Sequence, residues 1–198
     1  MRVRTMAAVW VLGVCSLTAM AQVGTGGAAP GTIATPAKAF DAELSGVEGE
    51  MMGAVKAMPA EKFGFAPSAA IFVPSQTTEF ATVRTFAQQA THVAQANYSF
   101  YATVGGIKPD VDVATIGKMT KKDDVVAALA GSFAFAHKAI ATLTAANAFE
   151  VVKSNEGFQT RGTLAAFGVG HMYDHYGQIV EYLRMNGIVP PASAPAPK

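Results

Sequence analysis

The histidines at positions 171 and 175 are the residues of this chain best suited to do chemistry. They stand four apart in the stretch G-H-M-Y-D-H-Y-G-Q-I at 170–179, and on a helix that spacing places both imidazoles on one face, about 6 Å apart. The same face continues through small or apolar residues, so it is predicted to be buried: Leu164, Gly168, Ile179 and Tyr182. Two buried imidazoles need partners, and a divalent metal would satisfy both at once.

Core histidines held by hydrogen bonds are the alternative interpretation of this pair, and only a third ligand would favour a metal. His92 is the candidate. On its predicted helix it lies roughly a third of a turn from the apolar stripe that contains Val93, so periodicity alone indicates a surface histidine unless another element covers that flank. His137 lies beside the buried stripe of another helix and is interpreted as structural or solvent-exposed.

The composition favours one globular domain without a nucleic-acid partner. The chain has 198 residues, of which 51% are hydrophobic and 15% charged, with a formal net charge of +1. This apolar fraction is ample for a single core. Lysines and arginines are scattered, with only Lys121 and Lys122 adjacent, so no basic surface indicates nucleic-acid binding.

Residues 1–21 have the pattern of a secretory signal peptide. Arg2 and Arg4 precede an apolar run at 6–17, and A-M-A at 19–21 supplies the small residues of a cleavage site before Gln22. The run is too short to span a bilayer core of about 30 Å, so we expect an exported protein, periplasmic or extracellular, without a membrane span after cleavage. The only cysteine, Cys15, follows a loose lipobox, and a lipoprotein is the alternative. A chain cleaved after Ala21 has no thiol, which excludes disulfides and cysteine ligands.

The rest of the chain is predicted to be an all-α four-helix bundle at 37–191. Amphipathic helices are expected at 37–58, at 86–105 after a cap at Thr85, from a cap at Thr120 or Asp123 to near Asn147, and at 163–186, with no strand pattern. A flexible leader at 22–36 precedes the bundle, and a disordered tail at 192–198 follows it. The first connection, 59–84, is long, and a loop of this length in a compact domain is often functional, for instance as a flap over a site.

Several of these stretches resemble the DinB family of metalloenzymes. The resemblance lies in T-F-A-Q-Q-A-T-H-V-A at 85–94, H-M-Y-D-H-Y-G-Q-I-V at 171–180 and Y-L-R-M-N-G-I-V-P-P at 182–191, and it covers residues 37–191. It implies a four-helix bundle with one divalent metal, held by a histidine of the second helix and an H-x-x-x-H pair on the fourth. The corresponding positions are His92, His171 and His175. The family tends to have an acidic residue three positions after the first histidine, where this chain has Gln95.

Three histidine ligands suit Zn²⁺ or Ni²⁺ and leave one coordination position open for water or substrate. An open position suits catalysis, for which a base is needed beside the metal. Asp174 should point about 100° away from His175 on the helix, so it is expected outside the ligand shell or on the surface. Glu43, Glu48 and Glu50 of the first helix are candidate bases, with Glu48 preferred, and the alternative for each is a solvated carboxylate.

The functional expectation is an exported, DinB-like, metal-dependent hydrolase or transferase that acts on an unknown small molecule. The family includes thiol-dependent transferases and isomerases, but an exported protein meets little reduced thiol, which favours hydrolysis. The alternative is a non-catalytic metal-binding or stress-related helical module. The resemblance also implies that two bundles can pair as a homodimer.

Overall fold

Four long α-helices form the framework of the protein. The computed structural model describes residues 29–68 and 79–195. The long helices are α1 (Pro36–Ala57), α2 (Phe86–Gly105), α4 (Lys122–Ile140) and α5 (Arg161–Met185), and the one-turn helix α3 (Val113–Ile116) lies between α2 and α4. The predicted all-α four-helix bundle is therefore confirmed.

The amino-terminal predictions fall largely outside the described residues. These are the signal peptide at 1–21 and residues 22–28 of the leader predicted at 22–36, whose other residues, 29–36, are described. In the part of the chain that the structure describes, no helix is sufficiently long and apolar to cross a membrane.

Hydroxyl side chains begin three of the four long helices. Thr35 accepts a hydrogen bond from the Lys38 amide at the start of α1, and Thr160 does the same for Thr163 at the start of α5. At α2 the predicted cap Thr85 forms a reciprocal capping box with Gln88. Such caps satisfy amides that the helix leaves unpaired, and each stabilises its helix by about 1 kcal/mol. They fix where α2 and α5, the two helices that carry the candidate ligands, begin.

The long helices pack in the ring order α1, α4, α2, α5, so α1 and α2 face each other across the core. The chain therefore passes between helices that are not neighbours twice, from α1 to α2 and from α4 to α5. The α2–α5 contact is especially close, because a Cβ added at Gly168 would stand 2.9 Å from the Tyr101 hydroxyl. The same hydroxyl donates to the Ala165 carbonyl at 3.2 Å, and α2 and α5 are thereby held at short range.

The structure corrects the predicted ends of the third long helix. It begins after Lys121 rather than after a Thr120 or Asp123 cap, and it ends at Ile140 instead of near Asn147. The early end follows from local competition for the backbone. The Asn147 side chain accepts from the Thr144 amide at 2.7 Å and donates to the Thr142 carbonyl at 3.1 Å, and such bonds favour turns over a continued helix.

The connection between α4 and α5 contains a β-hairpin, although no strand pattern was predicted there. Strands β1 (Val151–Ser154) and β2 (Gly157–Thr160) pair antiparallel. Gly157, with φ +91°, closes the turn in a conformation that favours glycine. Each strand has only four residues and no alternating apolar pattern, so periodicity gave no signal. The hairpin tip is tied to α2, since the Asn155 amide donates to the Ser99 hydroxyl at 3.3 Å.

Two short 3-10 helices complete the described fold. One, Ala60–Lys62, follows α1, and residues 69–78 of the same long connection lie outside the described residues. The other, Pro191–Ser193, packs against α1 beside Gly53. Regular structure therefore extends two residues into the stretch predicted to be a disordered tail, because prolines pre-set the backbone and find an apolar surface on α1.

Candidate metal centre

Three imidazoles from two helices meet between α2 and α5. His92 comes from α2, and His171 and His175 come from successive turns of α5. The ring centroids are 4.5 Å apart for His171 and His175, 4.7 Å for His92 and His175, and 5.2 Å for His92 and His171. One ring nitrogen from each histidine lies within 4.8 Å of the others, a grouping that could hold a metal ion.

The position of His92 follows from the packing of α2 on two neighbours. Because α2 contacts both α4 and α5, it is buried on more than one flank, and the residues on either side of His92, Thr91 and Val93, are both buried. The flank that periodicity assigned to the surface is the one that α5 covers. His92 itself is partly buried, which places its ring at the edge of the core.

The ring nitrogens have a separation suited to shared coordination. His171 Nε2 lies 3.3 Å from His92 Nε2. Two nitrogens bound to one tetrahedral zinc at about 2.0–2.1 Å would lie about 3.3–3.4 Å apart. The other nitrogen of His171, Nδ1, is buried with no hydrogen-bond partner among the described residues. The donor set and the spacing both fit a divalent ion.

The electrostatics of the site keep the imidazoles neutral. Burial, helped by the charge of Arg84 and by His171, lowers the pKa of His92 to about 4. Burial and the two neighbouring imidazoles lower the pKa of His175 to about 4 as well. Burial also lowers the pKa of His171, against the opposing charges of Asp174 and of Glu156 in the hairpin turn. Near pH 7 the three rings are therefore neutral, and neutral imidazole is the form that binds metals.

Aromatic side chains form one wall of the site. The Phe100 ring on α2 meets His171 edge to face with centroids 5.3 Å apart, and Phe167 packs against Phe100 at the same distance. Phe100 is buried and Phe167 is partly exposed. Phe100 therefore covers one side of the His171 ring and restricts its rotation.

Two glutamines connect His175 to a carboxylate at the surface. Gln89 Oε1 lies 2.8 Å from His175 Nδ1, Gln89 Nε2 donates to Gln178 Oε1 at 2.7 Å, and Gln178 Nε2 donates to Asp174 Oδ2 at 3.2 Å. Sequence reasoning missed both glutamines. The available signal was their spacing, because each stands three residues from a candidate ligand on the same helix, and such residues share a face.

The structure gives the predicted base Glu48 a different partner from the three imidazoles. Glu48 Oε2 lies 2.9 Å from His137 Nε2 on α4, and Asp41 Oδ1 lies 2.6 Å from His137 Nδ1. Burial opposes the charge on His137, but the two carboxylates outweigh it and raise its pKa. The site histidine group thus contains His92, His171 and His175, while Glu48 belongs to a separate contact between α1 and α4, the His137 clamp (Asp41, His137 and Glu48).

Two other residues that the sequence analysis considered, Asp174 and Gln95, lie outside the group of three imidazoles. Asp174 is exposed and accepts a hydrogen bond from Gln178, which agrees with the expectation that it lies outside the ligand shell or on the surface. Gln95, at the position where the family tends to have an acidic residue, donates to the Val113 carbonyl of α3 at 3.0 Å. The amide group of Gln95 therefore bonds to the short helix α3 and not to an imidazole.

A comparison of the sequence with profiles of known protein families gives a match. The family profile of the DinB superfamily matches residues 43–179, which is more than half of the chain and includes all three site histidines. A search of curated proteins gives no match. The mostly helical bundle with one small hairpin agrees with that profile. The chain belongs to the DinB superfamily.

Proposed function

We propose that this protein binds one divalent metal ion through His92, His171 and His175 and uses it to act on a small molecule. The observation that carries the proposal is the convergence of three imidazoles from two helices, with His171 Nε2 and His92 Nε2 3.3 Å apart. In a four-helix bundle, metal sites are built in this way, from side chains of facing helices.

The ligand chemistry favours Zn²⁺ or Ni²⁺. Imidazole nitrogens are borderline donors that suit zinc, copper, iron and nickel, whereas Ca²⁺ and Mg²⁺ prefer oxygen. Lowered pKa values for the three histidines also support binding at neutral pH, since protons do not compete.

Three protein ligands support an enzymatic role, because catalytic zinc sites have three while structural sites are closed by four. An ion with an open position supplies Lewis-acid activation of water or of a substrate oxygen. Phe100 packs against the His171 ring, and Arg84 contributes positive charge near all three imidazoles. The reaction proposed is hydrolysis or group transfer.

Export of the protein is part of the proposal and is supported by the sequence of residues 1–21. An exported protein meets little reduced thiol, which makes hydrolysis the preferred reaction over thiol transfer. The substrate is therefore expected to be a small molecule outside the cytoplasm.

The test uses the protein loaded with Co²⁺, whose visible spectrum reports coordination. Titration with azide should shift the spectrum, because azide enters an open position beside three imidazoles. A Co²⁺ spectrum that azide leaves unchanged would contradict an enzymatic role and leave the non-catalytic metal-binding module. The His137→Ala variant is the control and should respond as the wild type does, since His137 belongs to the clamp between α1 and α4.

A further inference from the structure

We propose that Gln89 is a positioning residue that fixes the tautomer of His175, and that Gln178 and Asp174 set the direction of its amide. This inference rests on the proposed metal site. In it, His175 carries its proton on Nδ1 and presents Nε2, without a proton, to the ion.

The side chains of His175, Gln89, Gln178 and Asp174 form a hydrogen-bonded relay. Its inner bond, between Gln89 and His175, is buried and short. Gln89 is 2% exposed and His175 is 5% exposed, and Gln89 Oε1 lies 2.8 Å from His175 Nδ1. A carbonyl oxygen accepts hydrogen bonds and cannot donate, so Nδ1 must donate and carries the proton. In neutral imidazole the other nitrogen is then free to accept or to bind metal.

The outer end of the relay decides which way both amides point. Rotating the Gln89 amide by 180° would offer its NH₂ to His175 and would favour the opposite tautomer. Gln89 would then need a donor from Gln178, whose own oxygen would turn toward Asp174. An ionised carboxylate only accepts hydrogen bonds, so two acceptors would face each other at the present Gln178–Asp174 distance of 3.2 Å. The carboxylate of Asp174 therefore selects the arrangement that leaves His175 Nε2 free.

The relay joins the two helices that form the site. Gln89 lies on α2, whereas Gln178, Asp174 and His175 lie on α5. The Gln89–Gln178 bond of 2.7 Å thus orients the ring and also bridges α2 and α5 one helical turn away from His92. Outer hydrogen-bond partners of this kind commonly change metal affinity by about 10–100-fold.

The experiment compares Gln89→Met, Gln89→Glu and Asp174→Asn in the full chain. Methionine keeps the size of glutamine but removes the acceptor, whereas glutamate keeps an acceptor for Nδ1–H. The Asp174→Asn variant changes only an exposed group, so its fold should be intact. Gln95→Met is the matched control on the same helix, because Gln95 bonds to the Val113 carbonyl and not to an imidazole.

Two readouts are needed, one without metal and one with it. Long-range ¹H–¹⁵N NMR of the metal-free protein at about pH 8, where the imidazoles are neutral, reports which nitrogen of His175 carries the proton. Competition with a chelator then gives the Zn²⁺ affinity. We expect an Nδ1–H tautomer in the wild type, in Gln89→Glu and in Gln95→Met, a shift toward Nε2–H in Gln89→Met, and a mixture of tautomers in Asp174→Asn.

The Zn²⁺ affinity should be lower in the variants in which less of His175 is in the Nδ1–H tautomer. We expect Zn²⁺ binding to weaken about 10–100-fold in Gln89→Met and less in Asp174→Asn, with Gln89→Glu and Gln95→Met close to the wild type. An Nε2–H tautomer in the wild-type protein, or an unchanged tautomer and affinity in Gln89→Met, would overturn the role of Gln89. If instead the wild type shows the Nδ1–H tautomer but binds no metal, the metal site fails while the hydrogen-bond assignment stands.

Discussion

Histidine side chains lie at two helix contacts of this protein, the site histidine group between α2 and α5 and the His137 clamp between α1 and α4. The pKa values shift in opposite directions at the two contacts. In the clamp, His137 lies between two carboxylates, 2.6 Å from Asp41 and 2.9 Å from Glu48, which raise its pKa. In the group of His92, His171 and His175, the rings face one another, and burial together with Arg84 lowers their pKa values. Burial alone therefore does not decide the chemistry of a histidine. The balance between burial and the charge of its neighbours decides whether it holds a proton or is free to bind a metal.

The largest expected difference between the two regions is the stabilisation that metal provides. An ion that binds only the folded chain should raise the free energy of unfolding by about 4 kcal/mol at a thousand times its dissociation constant. Thermal unfolding of stripped protein with and without Zn²⁺ measures this. His137→Ala should keep the full increase, because the clamp binds no metal in this account. An equal loss of the increase in His137→Ala and His175→Ala would contradict the distinction.

The next effect is on metal affinity itself. His92→Ala removes one of the three donors and should weaken Zn²⁺ binding by more than the roughly 100-fold upper range of an outer-partner loss. Isothermal titration of stripped protein gives the constant. The matched change His137→Ala should leave it unaltered. Unchanged affinity in His92→Ala would remove α2 from the site and leave only the pair on α5.

The pH dependence of stability should separate the two regions without any metal. Between about pH 4 and pH 6.5, the unfolded chain binds protons that His92 and His175 cannot take up when folded, so the free energy of unfolding should rise with pH. Above pH 6.5 the folded His137 retains a proton that the unfolded chain has lost. That contribution should therefore disappear as pH rises through its raised pKa.

Denaturant titrations of metal-free protein across this range provide the measurement. His137→Gln should lose the alkaline decline and keep the acidic rise, because only the clamp has been changed. An identical alkaline decline in His137→Gln and the wild type would show that another group is responsible for it.

The smallest expected effect concerns Glu48. Glu48→Gln removes one carboxylate of the clamp and should lower the free energy of unfolding by roughly 0.5–1 kcal/mol at pH 6, as for a partly exposed ion pair. Glu43→Gln, the same change at an exposed position of α1, should have less effect. Neither variant should alter Zn²⁺ affinity. A large loss of metal-dependent turnover in Glu48→Gln alone would instead restore the sequence-based prediction that Glu48 is the base.

The parts of this picture that sequence could predict are those fixed by local spacing. The in-phase pair of His171 and His175 follows from four-residue spacing on an amphipathic helix, and Thr85 was recognisable as a cap. The four long helices were predicted from long stretches in which apolar residues recur at helical spacing. These features depend on residues a few positions apart, whose geometry a helix determines.

The features that sequence reasoning missed depend on which helices become neighbours. His92 looked exposed because periodicity reports one buried stripe, whereas α2 packs on both α4 and α5; only the family resemblance indicated its place. Glu48 remains a predicted base, but its contact with His137 on α4 could not be foreseen, because α1 packs on both α4 and α5. Gln89 and Gln178 are polar residues at ordinary helical positions, and only the α2–α5 contact brings them together.

Metal content of the untagged protein tests the central claim most directly. Elemental analysis of wild-type protein purified without a metal-affinity tag should find about one divalent ion per chain, since the three imidazoles would form one mononuclear site. His137→Ala should retain that ion and His171→Ala should lack it. Equal metal content in the wild type and His171→Ala, or none in either, would contradict the assignment of these three histidines as ligands.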